Sequence, residues 1–547
     1  MVILGIHFGH DSSISLIENG KIVFCVEKER LCKVRHVIGI SYDDIKETLN
    51  KFNFNINKID YCSVTSTQHV EYIFFDKNLN FTLDYKKLNS EPSHWFHKRK
   101  RQIKEQINKK YLINLVEQNA NHPYLEKIEK KNFNLKNKKF FGSIESFYQS
   151  KKWLKKIKLK NISSCFEKNE NNELMQLPIR LKLGKNYLPG YIVSHHFAHA
   201  AYCFYSSDFN ESAIFTQDGS IPTSPYLSGM CFYGKKNKLY PLMPHYLNLG
   251  RMYDSVSELI GFDRTSGPGK MMGLAPYGKP KFFDKKFIGN FFDHEKLKIK
   301  NFKHKDVKWK PHRIDQSSNK WISHCLFMAK KLKYNFNGLG NTNKILDKIN
   351  IDIASSTQLL LEETLLYTAN QIKKIFTKKK INTKNLCLSG GTFLNCPANS
   401  KIYNKKLFRN MFIPPAIHDG GLSIGSAQAI YFNTLKKKRV KHLFNKTEAA
   451  FLGISYKKNQ ISKKLKKYKN IINFKKEKSI SKSIAKEISD NKIVAVYTGR
   501  SEIGPRALGH RSILADPRNR TNWKKVNIVK SREQWRPFAP VVAEKDF

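Results

Sequence analysis

The spacing in this 547-residue sequence that most directly suggests chemistry is that of His195 and His199, in the stretch Ser194-His195-His196-Phe197-Ala198-His199-Ala200-Ala201. If 195–205 is helical, residues four apart share a face, and two imidazoles so placed can bind one cation. His196 then points elsewhere. Asp218 stands where the apolar run 213–217 meets Gly219-Ser220, and can bring a carboxylate to the same ion from a neighbouring strand. Two imidazoles and a carboxylate with open positions suit Fe(II), Zn(II) or Mn(II), and ligand types alone do not choose among them. A zinc-protease motif needs Glu after its first His, and His196 stands there instead. The plain alternative is a pair of ordinary helix histidines beside a turn aspartate.

A second kind of chemistry is written in cations on turns. The segment from Gly499 to Ser512 carries Arg500, Arg506 and Arg511 among glycines after an apolar run, and Lys530-Ser531-Arg532-Glu533-Gln534-Trp535-Arg536 adds Lys530, Arg532 and Arg536. Six such side chains on non-helical loops suit bidentate binding of a small phosphate. Ser266-Gly267-Pro268-Gly269-Lys270 has the wrong glycine spacing for a Walker A loop and projects Lys270 either as an anion contact or as a plain surface turn. Buried strands running into Gly390-Gly391 (with Asn395 beyond) and into Asp419-Gly420-Gly421 suit close approach of backbone to a nucleotide, with a helix N-terminus facing the anion. Asp419 is a second strand-end carboxylate and a candidate fourth metal ligand.

Elements of defined kind must position these residues. Runs at 2–7, 13–18 and 22–28 read as strands, with His10 in the first turn and Asn19-Gly20 as a hairpin signal. The same sequence of strand, polar glycine turn, strand and hairpin returns from 212. An internally duplicated α/β fold with a ligand cleft between its halves is therefore expected. A long helix is expected over 353–378, opened by Asp352 and burying Leu359, Leu360, Ile372 and Ile375, and a last domain begins with a helix at 478–490 and a strand at 492–498. Between the halves, about 80–185, the chain is rich in Lys and Asn and reads as a basic, partly helical insertion.

With 98 Lys and Arg against 45 Asp and Glu, the formal charge is +53. That balance invites a nucleic-acid reading. The excess is mostly Lys spread through the chain, so a surface attracting anionic substrates is the more economical account and no nucleic-acid partner is expected. Nine cysteines without a C-x-x-C pair read as reduced core residues. No apolar run spans a membrane, the start lacks a secretory signal pattern, and a cytoplasmic location is expected.

Taken together, the opening Gly5-Ile6-His7-Phe8-Gly9-His10-Asp11-Ser12-Ser13, the His195 to Ala200 segment, Gly267 to Gly278, Ser389 to Asn395, Asp419-Gly420-Gly421 and the two arginine segments resemble the O-carbamoyltransferase family of nodulation-factor and antibiotic carbamoyltransferases. The resemblance runs the length of the chain in the family's order, outside the Lys-rich insertion. It implies an actin-like (RNase H-like) duplicated domain over 1–440, a linker region at 441–455 and a YrdC-like domain over 456–547, expected to be incomplete at its C-terminal side because family members continue further. It also implies ATP, with Mg2+, and carbamoyl phosphate as substrates, a carbamoyl-adenylate intermediate, and transfer to a hydroxyl of a sugar, oligosaccharide or secondary metabolite.

By the same resemblance an iron ion is held by His195, His199, Asp218 and Asp419. His10 is the candidate for the acceptor or carbamoyl group, Lys270 for a nucleotide phosphate, and Arg500, Arg506, Arg511, Lys530, Arg532 and Arg536 for carbamoyl phosphate, with Arg506 counted among the catalytic residues. Arg35-His36 departs from the family's usual Lys-His. The competing expectations are a tRNA-modifying carbamoyl or threonylcarbamoyl transferase, and a non-catalytic nucleotide- or metal-binding remnant.

Overall fold

The computed structural model describes residues 1–66, 78–83, 176–219, 228–245, 247, 249–263, 266–288, 316–378, 381–439 and 449–546. Most of the expected basic insertion (84–175), Ser220 and the start of the expected linker (440–448) lie outside the described residues.

Two sheets share one plan. In the first, β1 (Val2–His7), β2 (Ser13–Glu18) and β3 (Lys21–Glu27) form an antiparallel meander, β4 (Tyr61–Thr65) pairs parallel with β1, and β7 (Asn186–Val193) pairs parallel with β4. Beyond β7 lie β6 (Gln176–Leu183) and β5 (Leu79–Leu83). In the second sheet β8 (Glu211–Gln217), β9 (Gly229–Lys235) and β10 (Lys238–His245) make the meander, followed by β11 (Asn385–Ser389) and β12 (Asn410–Phe412), both parallel to β8. The repeated strand order is the duplicated, actin-like α/β fold. The Asn19-Gly20 turn has φ of 49° and 84°, as a two-residue hairpin needs.

Strand β1 is buried at every residue, as a central strand covered on both faces must be. The helix His195–Tyr205 is likewise buried all round, which places it in the interior rather than at a surface. It crosses the helix Leu422–Gln428 at backbone distance: a Cβ on Gly425 would lie 2.0 Å from the Ala198 carbonyl oxygen, and one on Gly5 of β1 would lie 2.1 Å from the Ser423 carbonyl oxygen. The paired helices therefore sit between the sheets, and their N-terminal ends share one region with the C-terminal ends of β1 and β8.

The long helix runs Lys348–Lys378, so Asp352 does not open it. Its carboxylate instead accepts the Lys279 N–H at 2.7 Å and the Tyr334 hydroxyl at 2.5 Å. Leu360 and Ile372 are buried as expected; the side chain of Ile375 lies outside the described residues.

The C-terminal part carries the helix Ile480–Ser489, the hairpin β13 (Val494–Tyr497) with β14 (Arg511–Leu514), and the helix Thr521–Val529. It is stitched to the first sheet. The Leu452 carbonyl accepts the Cys25 N–H of β3 at 3.0 Å, and Ser501 in turn donates its N–H to Ile454 at 3.0 Å. Trp535, buried, packs against Phe262 and Tyr277 in the core of the second half.

Candidate metal centre and cation cluster

The ligand atoms of His195, His199, Asp218 and Asp419 lie within 4.8 Å of one another. The helix supplies both imidazoles from one face, Asp218 directly follows β8, and Asp419 precedes the crossing helix Leu422–Gln428. His195 Nε2 is 3.3 Å from Asp218 Oδ2 and 3.8 Å from Asp419 Oδ1. His199 Nε2 is 3.3 Å from a carboxylate oxygen of each aspartate, yet makes no aligned hydrogen bond with either. A buried nitrogen facing two carboxylates without bonding them is what a divalent cation between them would explain, and the two-imidazole, two-carboxylate donor set fits one. The other ring nitrogen, His199 Nδ1, is 3.1 Å from Ser389 Oγ at the end of β11, which holds the ring with Nε2 inward. Burial works against the charge of Asp218, but the adjacent imidazoles of His195 and His199 outweigh it and hold the carboxyl well below its usual range.

His10 abuts this group: its Nε2 is 3.3 Å from Asp419 Oδ2 and its Nδ1 is 3.0 Å from Asp11 Oδ2. Burial disfavours its charge, yet Asp419 and Asp11 prevail and push it up to about 10. Asp11 also takes His36 Nδ1 at 2.8 Å, and both Asp11 (φ 58°) and His36 (φ 53°) are left-handed, a conformation Asp and His tolerate better than most. Asp11, the orienting partner of His10, and Ser389 were not singled out from sequence. Both stood inside motif stretches, but only the three-dimensional neighbour reveals their part.

The six cations of the two arginine segments divide. Arg500 donates to the carbonyls of Gly453 (3.1 Å), Val23 (2.8 Å) and Leu452 (2.5 Å), so it fastens the C-terminal part to β3. Arg511 Nε lies 2.7 Å from Glu502 Oε2, and the other oxygen of this buried carboxylate accepts the N–H groups of Leu508, His510 and Arg511. Those two arginines build the loop. The others gather: Lys530 is lowered by burial, then by the charges of Arg532, Arg35 and Arg536, while Arg536, 3.7 Å from Glu533, is lowered by burial and by Arg35 and Arg506 against that carboxylate. Arg532 Nε is buried with no hydrogen-bond partner. Mutually repelling cations with an orphaned donor fit a bound anion. Arg35, from the first half, is a member that sequence reasoning left unassigned.

The remaining candidates have protein partners. Lys270 Nζ is 2.8 Å from Glu533 and 3.6 Å from Asp263, tying the helix Gly267–Leu274 to the C-terminal part. Arg506 donates to the Leu394 carbonyl at 3.0 Å. Asn395 caps the helix Cys396–Asn404 through the Ala398 N–H at 3.1 Å and pairs with the Gln358 amide at 2.8 and 2.9 Å. Gly390 is left-handed (φ 108°), and a Cβ there would lie 2.2 Å from the Gln217 carbonyl oxygen. Gly391 adjoins Asp218 Oδ1, while Gly420 and Gly421 are packed against Glu27 and Tyr202.

Comparison with known proteins agrees over most of this architecture. Residues 2–428 match the family model described as carbamoyltransferase N-terminus, and residues 485–547 match carbamoyltransferase C-terminus. An uncharacterized protein of Synechocystis is 27% identical across 99% of this chain and 76% of its own length. Nodulation protein NolO of Bradyrhizobium diazoefficiens is 29% identical over 65% of this chain, and nodulation protein U of Azorhizobium caulinodans is 30% identical over 35% of it. Those matches span 59% and 31% of the two nodulation proteins. Among solved structures, full-length HypF in its phosphate- and nucleotide-bound form is similar at a TM-score of 0.30 and 9% identity, covering 78% of this chain and 55% of HypF, and the fold assignment rests on the strand order above. Among the described residues no helix is long and apolar enough to cross a membrane. With both family models matched along most of its length, the chain belongs to the carbamoyltransferase family and is an enzyme of that family.

Proposed function

We propose that this enzyme makes a carbamoyl-adenylate from carbamoyl phosphate and ATP at the cation cluster and transfers the carbamoyl group, beside the His/Asp cluster, to a hydroxyl of a sugar, oligosaccharide or secondary metabolite. The observation that supports the reading is the pairing of a cation cluster holding a buried, unbonded Arg532 nitrogen with a buried two-His, two-Asp cluster in a family member. The resemblance to nodulation-factor carbamoyltransferases favours an oligosaccharide acceptor.

The balance is as follows. Water cleaves carbamoyl phosphate to carbamate and phosphate; a carbamate oxygen attacks the α-phosphate of ATP, releasing pyrophosphate; the acceptor hydroxyl then attacks the carbamoyl carbon, AMP leaves, and one proton is lost. Arg35, Arg506, Lys530, Arg532 and Arg536 hold the phosphate, and Mg2+ accompanies ATP. His195, His199, Asp218 and Asp419 would hold Fe(II) or another divalent cation, which when bound supplies Lewis-acid polarisation of the carbamoyl carbonyl. His10, oriented by Asp11 and kept charged by Asp419, holds a proton at Nε2 that it can direct at the acceptor or carbamoyl oxygen. The 1–440 and 456–547 parts act as transferase and YrdC-like adenylating domains, and the ATP requirement agrees with a cytoplasmic enzyme.

Pyrophosphate release from ATP, measured with and without carbamoyl phosphate in Fe(II)-supplemented protein, tests this. Release that requires carbamoyl phosphate and is lost in Arg532→Ala is expected. No release from folded wild-type protein would overturn the adenylation step.

A further inference from the structure

The Glu27 carboxylate is used by neither site as described, yet it touches the frame of both. It ends β3 and is buried. Its Oε1 accepts the Gly504 N–H at 3.1 Å and lies 3.3 Å from Nε2 of His418, the residue before Asp419. Its Oε2 lies 3.5 Å from Nε of Arg30, whose Nη2 donates to the Gly504 carbonyl at 3.3 Å. One residue of the arginine loop, Gly504, is thus gripped at both its N–H and its C=O, two residues before Arg506. The fit is close on each side. A Cβ on Gly420 would lie 2.5 Å from Glu27 Oε1, and one on Gly504 (φ 86°) would lie 2.6 Å from the Pro415 carbonyl oxygen.

We propose that Glu27, with Arg30, is a positioning residue that registers the arginine loop against the Asp419 turn, so that occupancy of the cation cluster and of the His/Asp cluster are linked. This rests on the function proposed above only for the identity of the anion. Glu27 reaches one site through the Gly504 peptide and the other through His418, so a change in either is transmitted through a single buried carboxylate. Such linkage is reciprocal: an anion that alters the metal affinity must have its own affinity altered by the same factor.

The test uses the full chain. Mn(II) affinity is measured by titration calorimetry with and without saturating carbamoyl phosphate, and amide hydrogen exchange is followed over 499–512. In wild type the anion is expected to change the Mn(II) affinity by about threefold or more, within the usual range for coupled sites. In Glu27→Ala the factor should fall to about one, each affinity measured alone should stay within about twofold, and exchange over 499–512 should rise about tenfold. Glu27→Gln keeps an oxygen for the Gly504 N–H and should restore most of the exchange protection; Arg30→Ala should weaken both readouts less than Glu27→Ala. A wild type without linkage, or a folded Glu27→Ala with wild-type linkage and exchange, overturns the proposal. Should Glu27→Ala fail to fold, Glu27→Gln and Arg30→Ala decide: unchanged linkage in both overturns it. Failure of carbamoyl phosphate to bind wild type counts against the proposed function instead, and the exchange data then decide the clamp by themselves.

Discussion

The His/Asp cluster and the arginine segments both collect charged side chains around a prospective ligand, but they are built oppositely. In the first, short side chains project from a buried helix, a strand end and, for Asp419, the short turn before a second buried helix rather than the strand end expected from sequence, so the backbone determines where each ligand atom lies. In the second, long side chains leave loops, and each guanidinium can reach an outside anion, a neighbouring carbonyl or a carboxylate. Arg500 and Arg511 took protein partners; Arg532 kept a buried nitrogen without one. Position along the chain decides function where the reach is short, and the local supply of acceptors decides it where the reach is long.

That contrast can be tested from its strongest point downward. Asp419→Ala removes a ligand whose place the backbone dictates, and should abolish tight divalent-metal binding, with carbamoyl transfer falling on the order of 10²–10³-fold; calorimetry and product assay check it. Glu502→Ala leaves three backbone N–H groups and Arg511 without their buried acceptor and should destabilise the C-terminal part by about 3–5 kcal/mol in denaturant titrations. Its pH dependence has a definite sign. Burial alone would raise this carboxyl, but the backbone N–H groups and Arg511 prevail and hold it at about 2, against an ordinary 4.5. The stabilisation is therefore complete above about pH 4.5 and is lost as pH falls from there through 2. Glu502→Gln should flatten the stability profile across that window.

Arg532→Ala against Arg500→Ala sharpens the division among cations. The first should weaken phosphate or carbamoyl phosphate binding by about 10–100-fold with little change in stability. The second should lower stability with little change in intrinsic anion affinity, and the reverse pattern would refute the assignment. The smallest effect is expected from Ser389→Ala, which frees His199 Nδ1 and should weaken metal affinity about tenfold.

The same contrast explains what could be read from the residues. Strands, hairpin and duplication follow from short apolar runs bounded by turn residues, which act locally. The four-residue spacing of the histidines was visible for the same reason. That Asp352 serves Lys279 and Tyr334 from inside its helix rather than opening it, and that Arg35 joins Lys530 and Arg536, depend on contacts between segments distant in sequence; that Asp11 orients its neighbour His10 depends on the left-handed backbone of the turn. The glycines at 390 and 420 read from sequence as a place where backbone approaches a nucleotide. In the structure the Gln217 carbonyl and Glu27 occupy the space where a Cβ would stand.

Trp535 carries a consequence for the exchange of parts among relatives. Its ring sits in the core of the second half beside Phe262, and its carbonyl takes the Tyr277 hydroxyl at 2.7 Å. The cations on either side of it, Arg532 and Arg536, are consequently anchored by a hydrophobic plug seated in a socket of the second half. A C-terminal module grafted from a distant relative would bring its own anion-binding residues but seat them correctly only if the recipient offered a matching socket. The two parts should therefore recombine poorly as cassettes unless the socket residues travel with the plug.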